Sequence, residues 1–163
     1  MKAIVAVDED WGIGVNGQML HHVPADLKYF KQKTLGKTVI MGKNTFFSLP
    51  NGPLPGRKNI VLSTDKNLHI EGAWVYSSID ELMENLSKEE LADAFIIGGQ
   101  SIYEQFLPLY EIAFVTKIVA RSLEIDAYFP NLDILDEWKL ISESDIMVSN
   151  DIRYKFCEYR QEK

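Results

Sequence analysis

Six short runs rich in branched apolar residues, at 3–7, 38–41, 59–62, 73–76, 94–97 and 112–119, recur along the 163-residue chain. Each has the length of a strand and is almost unbroken in hydrophobicity, the pattern of a strand buried on both faces. Helical patterns fall between several of them, at 25–34, 44–48, 79–86 and 101–107. Strands that alternate with helices confine the chain to an α/β fold, a parallel sheet with helices over both faces. Two further runs, 138–143 and 152–159, are separated instead by a polar Ser-Asn-Asp turn, so antiparallel strands are expected at one edge.

The length fits one domain, 1–163, and no repeat, heptad or Ser/Gly-rich linker divides it. Seventeen Lys and Arg against 24 Asp and Glu give a formal charge of -7. That charge opposes a polyanion, and no basic run concentrates the positive residues, so nucleic acid is not expected as a partner. A single cysteine, Cys157, excludes an internal disulfide and fits a reducing compartment. The first apolar run stops at Asp8, short of the ~20 residues of a membrane span. A soluble, cytoplasmic protein is expected. Two long loops stand out, 8–23 with Gly12, Gly14 and Gly17, and 49–58 with Pro50, Pro53 and Pro55; loops of this length often serve as lids or binding loops.

Two strand-to-helix turns have the chemistry of phosphate sites. In Met41-Gly42-Lys43-Asn44-Thr45 an apolar strand runs into glycine, a cation and a hydroxyl at a helix start. In Ile97-Gly98-Gly99-Gln100-Ser101 paired glycines remove the side chains that would keep a diphosphate from the backbone. An ordinary tight turn accounts for either alone; together they point to a nucleotide. Pro24 marks another helix start, with Asp26 in its first turn and Leu27 and Phe30 on the neighbouring face. Asp26 either complements the helix dipole or stands as a carboxylate among apolar side chains, where desolvation raises its pKa above ~3.9. His21 and His22 are adjacent on an extended segment and point to opposite sides, and no zinc spacing, serine elbow or Cys/His pair occurs, so no metal is expected.

As a set, in order and spacing, several segments resemble the dihydrofolate reductase family: 14–19, Val23-Pro24-Ala25-Asp26-Leu27, 39–46, Pro53-Leu54-Pro55-Gly56-Arg57-Lys58-Asn59, Ile96-Ile97-Gly98-Gly99, and 101–106. The resemblance implies a central, mostly parallel eight-stranded sheet with four flanking helices and an antiparallel C-terminal strand. It implies hydride transfer from NADPH to C6 of dihydrofolate with protonation at N5, in a monomer. Asp26, hydrogen-bonded by Thr116, corresponds to the family's pocket carboxylate, which orients the pterin while water delivers the proton. The pterin and its tail would be lined by Ile4, Val5, Ala6, Leu27, Phe30, Leu49, Ile97 and Thr116, with Arg57 on the glutamate α-carboxylate. For NADPH the resemblance implies Ala6, Ile13, Gly14 and Met19; Gly42, Lys43, Asn44 and Thr45; Leu62, Ser63 and Thr64; and Gly98, Gly99, Gln100, Ser101, Ile102 and Tyr103, with a cis peptide between the paired glycines. Asp65 would repel the 2′-phosphate if it pointed inward.

Two departures matter. Leu20-His21 stands where the family usually has Pro-Trp, which implies an altered pH dependence and a more mobile 8–23 lid. Ile125-Asp126-Ala127 replaces Gly-Asp-Thr, with the loss of a glycine and a hydroxyl that help dock the lid. A reductase of another pterin or flavin precursor on the same fold stays open, as does a nucleotide-binding protein without catalysis. Arg57 discriminates against the first, because a substrate without a glutamate tail does not need it; Asp26, Thr116 and Phe30 together argue against the second.

Overall fold

The structure, a computed structural model, describes residues 1–163. Its elements are β1 (Lys2–Val7), β2 (Gly12–Val15), β3 (Gln18–Met19), α1 (Pro24–Thr34), β4 (Thr38–Gly42), α2 (Lys43–Ser48), β5 (Lys58–Leu62), β6 (Ala73–Tyr76), α3 (Ile79–Asn85), α4 (Lys88–Asp93), β7 (Phe95–Gly98), α5 (Gln100–Gln105), β8 (Ile112–Ile118), β9 (Ala127–Tyr128), a 3-10 turn (Leu132–Ile134), β10 (Trp138–Glu143), β11 (Met147–Ser149) and β12 (Ile152–Gln161). The main sheet runs β10-β12-β8-β1-β7-β4-β5-β6. From β8 to β6 all pairs are parallel, whereas β12 is antiparallel to both of its neighbours. The expected eight-strand path is present, and short β11 adds to it by pairing with the first part of β12. The turn between them is two residues, Asn150 and Asp151, both at positive φ, as a tight hairpin requires.

Two of the expectations need amending. The helices number five, because Ser87-Lys88-Glu89-Glu90 opens the short α4: the Ser87 hydroxyl accepts a hydrogen bond from the Glu90 N–H. Ser78 caps α3 in the same way through Glu81. Both are serine-to-glutamate capping patterns legible in sequence. The segment 8–23 is also not a plain loop. Its residues form β2 and β3, which join β9 in a separate antiparallel sheet. These strands are short and glycine-bearing, and β9 lies more than a hundred residues away in sequence, so local hydrophobic pattern does not announce them.

Alternation along β1 divides the core. Ala3, Val5 and Val7 enter the larger apolar cluster and Ile4 the second, on the opposite face. Trp11 is held at φ 61 in the lid segment, packed on Phe129 at 6.2 Å and edge-on to Tyr159 at 6.0 Å. An aromatic residue in that conformation is costly and persists because its surroundings hold it. The parallel strands all point their carboxyl ends to one edge of the sheet, where β7 inserts between β1 and β4; open α/β sheets bind ligands at such a switch in strand order.

Candidate active site

Ala6 on β1 lies opposite Thr116 on β8, and α1 sets its first turn against this pair. The Thr116 hydroxyl donates to Asp26 Oδ1 at 2.6 Å. Thr116 is fully buried and Asp26 is 9% exposed. Burial raises the Asp26 carboxyl above its ordinary value, and the Thr116 hydrogen bond offsets part of the rise. Asp26 is therefore more than a dipole complement. The other buried carboxylate, Asp8, is saturated by backbone: Asp10 and Gly12 N–H donate to Oδ1 and Ser122 N–H to Oδ2. Asp26 has one protein donor and keeps acceptor capacity for a ligand.

Asp26, Phe30 and Thr34 recur every four residues along one face of α1. Phe30 packs with Leu49, Leu54 and Ile97 around the cluster containing Ile4, while Leu27 is 43% exposed at the rim. At the far end of the helix Thr34 Oγ1 donates to the Phe30 carbonyl and accepts from Arg57 Nη1 at 3.1 Å. Arg57 Nε donates to the Pro55 carbonyl, and the guanidinium sits 6.0 Å from the Phe30 ring centroid. Buried Asn59 clamps this turn, accepting from Leu54 N–H and donating to the Leu54 and Arg57 carbonyls. Eight helical residues separate Asp26 from Thr34, a rise of about 12 Å. The result is a cleft with a buried acid at one end, a forked cation at the other and apolar side chains between. Val5 does not contribute its side chain: it faces the other cluster, with Ala3 and Val7, so only its main chain can border the cleft.

The two glycine turns converge beside this cleft. A Cβ on Gly99 would stand 3.3 Å from Thr45 Oγ1, and one on Gly42 would stand 3.1 Å from Ile102 Cγ1. Gly98 has φ 122, and the Gly98–Gly99 peptide is cis. Under Gly98 lies Tyr103, whose hydroxyl donates to the Ile4 carbonyl at 2.7 Å; burial holds its phenol well above the ordinary range, so it remains a donor. An adjoining pocket of about 370 Å³ is lined by Lys43, Asn44, Leu62, Ser63, Thr64, Ser101 and Ile102. It also takes in Ser77, Ser78, Ile79 and Gln105, which sequence reasoning missed; the Ser78–Glu81 capping pattern was the available signal. Asp65 is turned away, its carboxylate accepting from Asn67 N–H and its own N–H donating to Ser63 Oγ. Gln100 is occupied by Glu104 and by Tyr128 N–H, which its side-chain oxygen accepts.

The lid sheet carries Ile13, Gly14 and Met19. Gly14 pairs with Met19 and Ala127, and Ile13 packs on the larger cluster, whereas Met19 is 57% exposed. In the altered Ile125-Asp126-Ala127 segment, Asp126 Oδ2 accepts from Asn16 N–H and Asp126 N–H donates to the Gly14 carbonyl. The Ile125 side chain fills the space over Gly12. His21 Nε2 lies 3.2 Å from Ser122 Oγ. A larger groove of about 510 Å³ opens along this lid, between 10–16 and 122–128, and shares no residue with the Asp26–Arg57 cleft.

A family model described as dihydrofolate reductase matches residues 1–161. The chain belongs to the dihydrofolate reductase family. The dihydrofolate reductase of Neisseria meningitidis serogroup B is 40% identical to it over 157 residues, covering 96% of this chain and 94% of its own. That of Mycobacterium leprae is 39% identical over 153 residues, covering 91% and 90%. Among solved structures, dihydrofolate reductase from Enterococcus faecalis complexed with NADP(H) and RAB-propyl superposes with a TM-score of 0.87 at 30% identity, over 99% of this chain and 96% of that one. The family match spans the whole cleft, from β1 and Asp26 to Arg57, Thr116 and the glycine turns.

Proposed function

We propose that the chain reduces 7,8-dihydrofolate to 5,6,7,8-tetrahydrofolate with NADPH. The observation that carries this reading is the cleft itself: a buried carboxylate with spare acceptor capacity near the start of α1, and a forked cation hydrogen-bonded to Thr34, a helical rise of about 12 Å further along. A substrate that suits it has a flat, proton-accepting ring at one end and a carboxylate at the other, joined by an apolar bridge. Dihydrofolate has that layout, and a pterin lacking a glutamate tail would leave Arg57 without a role.

The residues fit the cofactor. The glycine turns keep their backbone open where a Cβ would meet Thr45 or Tyr103, and Lys43, Ser63 and Thr64 line one pocket with Asp65 directed elsewhere. NADPH supplies the hydride that reaches C6. Gly98, Gly99, Ser101 and Ile102 would hold its diphosphate from one side, and Gly42, Lys43, Asn44 and Thr45 from the other, with Leu62, Ser63 and Thr64 around the adenosine. Ala6, Ile13, Gly14 and Met19 close the reacting end, with Gln100 and Tyr103 as supports.

Asp26 accepts hydrogen bonds from the pterin amino group and ring N–H, which stabilises the cationic ring that hydride addition requires. Thr116 fixes the carboxylate's orientation, so little reorganisation is left for the reaction itself. Asp26 binds the far ring edge from N5, so water carries the proton to that atom. Ile4, Leu27, Phe30, Leu49 and Ile97 exclude bulk water and strengthen the field of the carboxylate. Arg57 pairs with the glutamate α-carboxylate and sets the register of the ring against Asp26.

The chain acts as one domain, 1–163, and as a monomer; the formal charge of -7 works against nucleic acid as a partner. No helix is long and apolar enough to cross a membrane. A single buried thiol, Cys157, suits the cytoplasm.

The test is NADPH oxidation in the presence of dihydrofolate, native protein against Asp26→Asn. The native protein is expected to turn over and the variant to lose about a hundredfold or more at neutral pH. Folded native protein that oxidises no NADPH overturns the activity, and a fully active variant overturns the role of Asp26.

A further inference from the structure

The segment that carries Ile13, Gly14 and Met19 is gripped at both of its ends by one residue of a distant loop. The backbone N–H of Ser122 donates to Asp8 Oδ2 at 3.2 Å, and its hydroxyl lies 3.2 Å from His21 Nε2. Asp8 is 3% exposed, and its other carboxylate oxygen gathers the N–H groups of Asp10 and Gly12. Ser122 thus joins the first turn of the lid to its last residues, bypassing the hairpin between them. The neighbouring backbone reinforces the first grip: Glu9 N–H donates to the Ala120 carbonyl.

We infer that Ser122 is a positioning residue for the cofactor: acting through His21, it holds the lid in the geometry that closes over the nicotinamide end. The contact is available to the imidazole in either tautomer, since a hydroxyl both donates and accepts. A tryptophan at position 21 would offer only an N–H; the imidazole also offers an acceptor, so the latch is built from this chain's own side chains. Its strength is that of one hydrogen bond to a partly buried pair, enough to move a binding constant without being needed for folding.

The inference rests on the NADPH reading above, and the experiment separates the two. NADPH dissociation constants and the Michaelis constants of both substrates are measured for native protein, Ser122→Ala, Ser122→Thr, His21→Phe and the double variant Ser122→Ala/His21→Phe. Ser122→Ala keeps the backbone bond to Asp8 and removes only the hydroxyl. Each of Ser122→Ala and His21→Phe is expected to weaken NADPH binding roughly two- to tenfold, with the dihydrofolate KM unmoved. The double variant should be no weaker than the weaker single, because both remove the same contact, and Ser122→Thr should bind as the native protein does. Unchanged NADPH binding in Ser122→Ala, additive losses in the double variant, or a fall in Tm with no change in NADPH binding would each overturn the inference. Native protein that fails to bind NADPH would instead overturn the functional reading on which it rests.

Discussion

Arg57 illustrates how a side chain on a proline-rich turn becomes specific. Its guanidinium is aimed by two hydrogen bonds, to Thr34 Oγ1 and the Pro55 carbonyl, while Asn59 locks the turn beneath it. Burial lowers its pKa below the ordinary guanidinium value, yet a guanidinium remains charged at any working pH. Lysine at this position would keep the charge and lose the fork. Arg57→Lys is therefore expected to raise the dihydrofolate KM about tenfold or more, the worth of a charge-assisted pair, and to leave the NADPH KM unchanged. Steady-state kinetics with each substrate varied in turn checks this. A matched rise in both constants would contradict a role confined to the substrate tail. The residue type was readable in the sequence; its aim was not, because Thr34 and Asn59 reach it from two different elements.

Between elements, the decisive contact is that of β2 with the segment that leads from β8 into β9. A Cβ on Gly12 would come within 2.6 Å of Ile125 Cδ1 and 2.8 Å of its Cγ2. The second atom is on the β-branch and cannot swing clear independently of the first. Gly12→Ala should therefore push the lid off β9 at a cost of about 1–3 kcal/mol, visible as a lower Tm, and Ile125→Ala in the same chain should restore most of it. This pairing explains how the lid docks without the family's usual glycine and hydroxyl: the small residue is in β2 and the large one faces it. The parallel strands of the main sheet were legible because each is largely apolar, and α3 because its pattern falls between two of them; α4 was not read, although like α3 it begins on a serine-to-glutamate cap. The lid sheet was not, because Gly12 and Gly14 carry no hydrophobic signature and their partners, Tyr128 and Ala127, are distant in sequence.

Across the whole molecule, activity and stability pull against each other at Asp26. Its folded-state pKa is raised above the 3.8 of an exposed carboxyl, chiefly by burial. The folded protein therefore binds a proton more readily than the unfolded chain. Between 3.8 and the raised value, stability falls as pH rises, and above that window the cost of the buried charge is carried in full. Asp26→Asn removes that charge. The ligand-free variant should melt higher than the native protein at neutral pH, and the gap should narrow as pH drops through the Asp26 titration toward 3.8, where the native side chain is also neutral. Thermal melts of the two proteins across pH check the sign. A variant that melts lower at neutral pH, or a gap that widens on acidification, would contradict a destabilising buried carboxylate. Loss of turnover together with a gain in Tm is the pattern of a residue kept for chemistry at the expense of stability.

The amino-acid sequence alone determined the alternating α/β plan, the antiparallel C-terminal edge, the two glycine turns and the identity of Asp26, because hydrophobic period, turn residues and helix starts act over a few residues. Tertiary structure decided what those features do together. It brought Thr45 beside Gly99, Thr116 beside Asp26 and Thr34 beside Arg57, and let Ser122 join the two ends of the lid. Each of these depends on the packing of elements far apart in the chain, where a shift of one strand register or one helix face would exchange one neighbour for another.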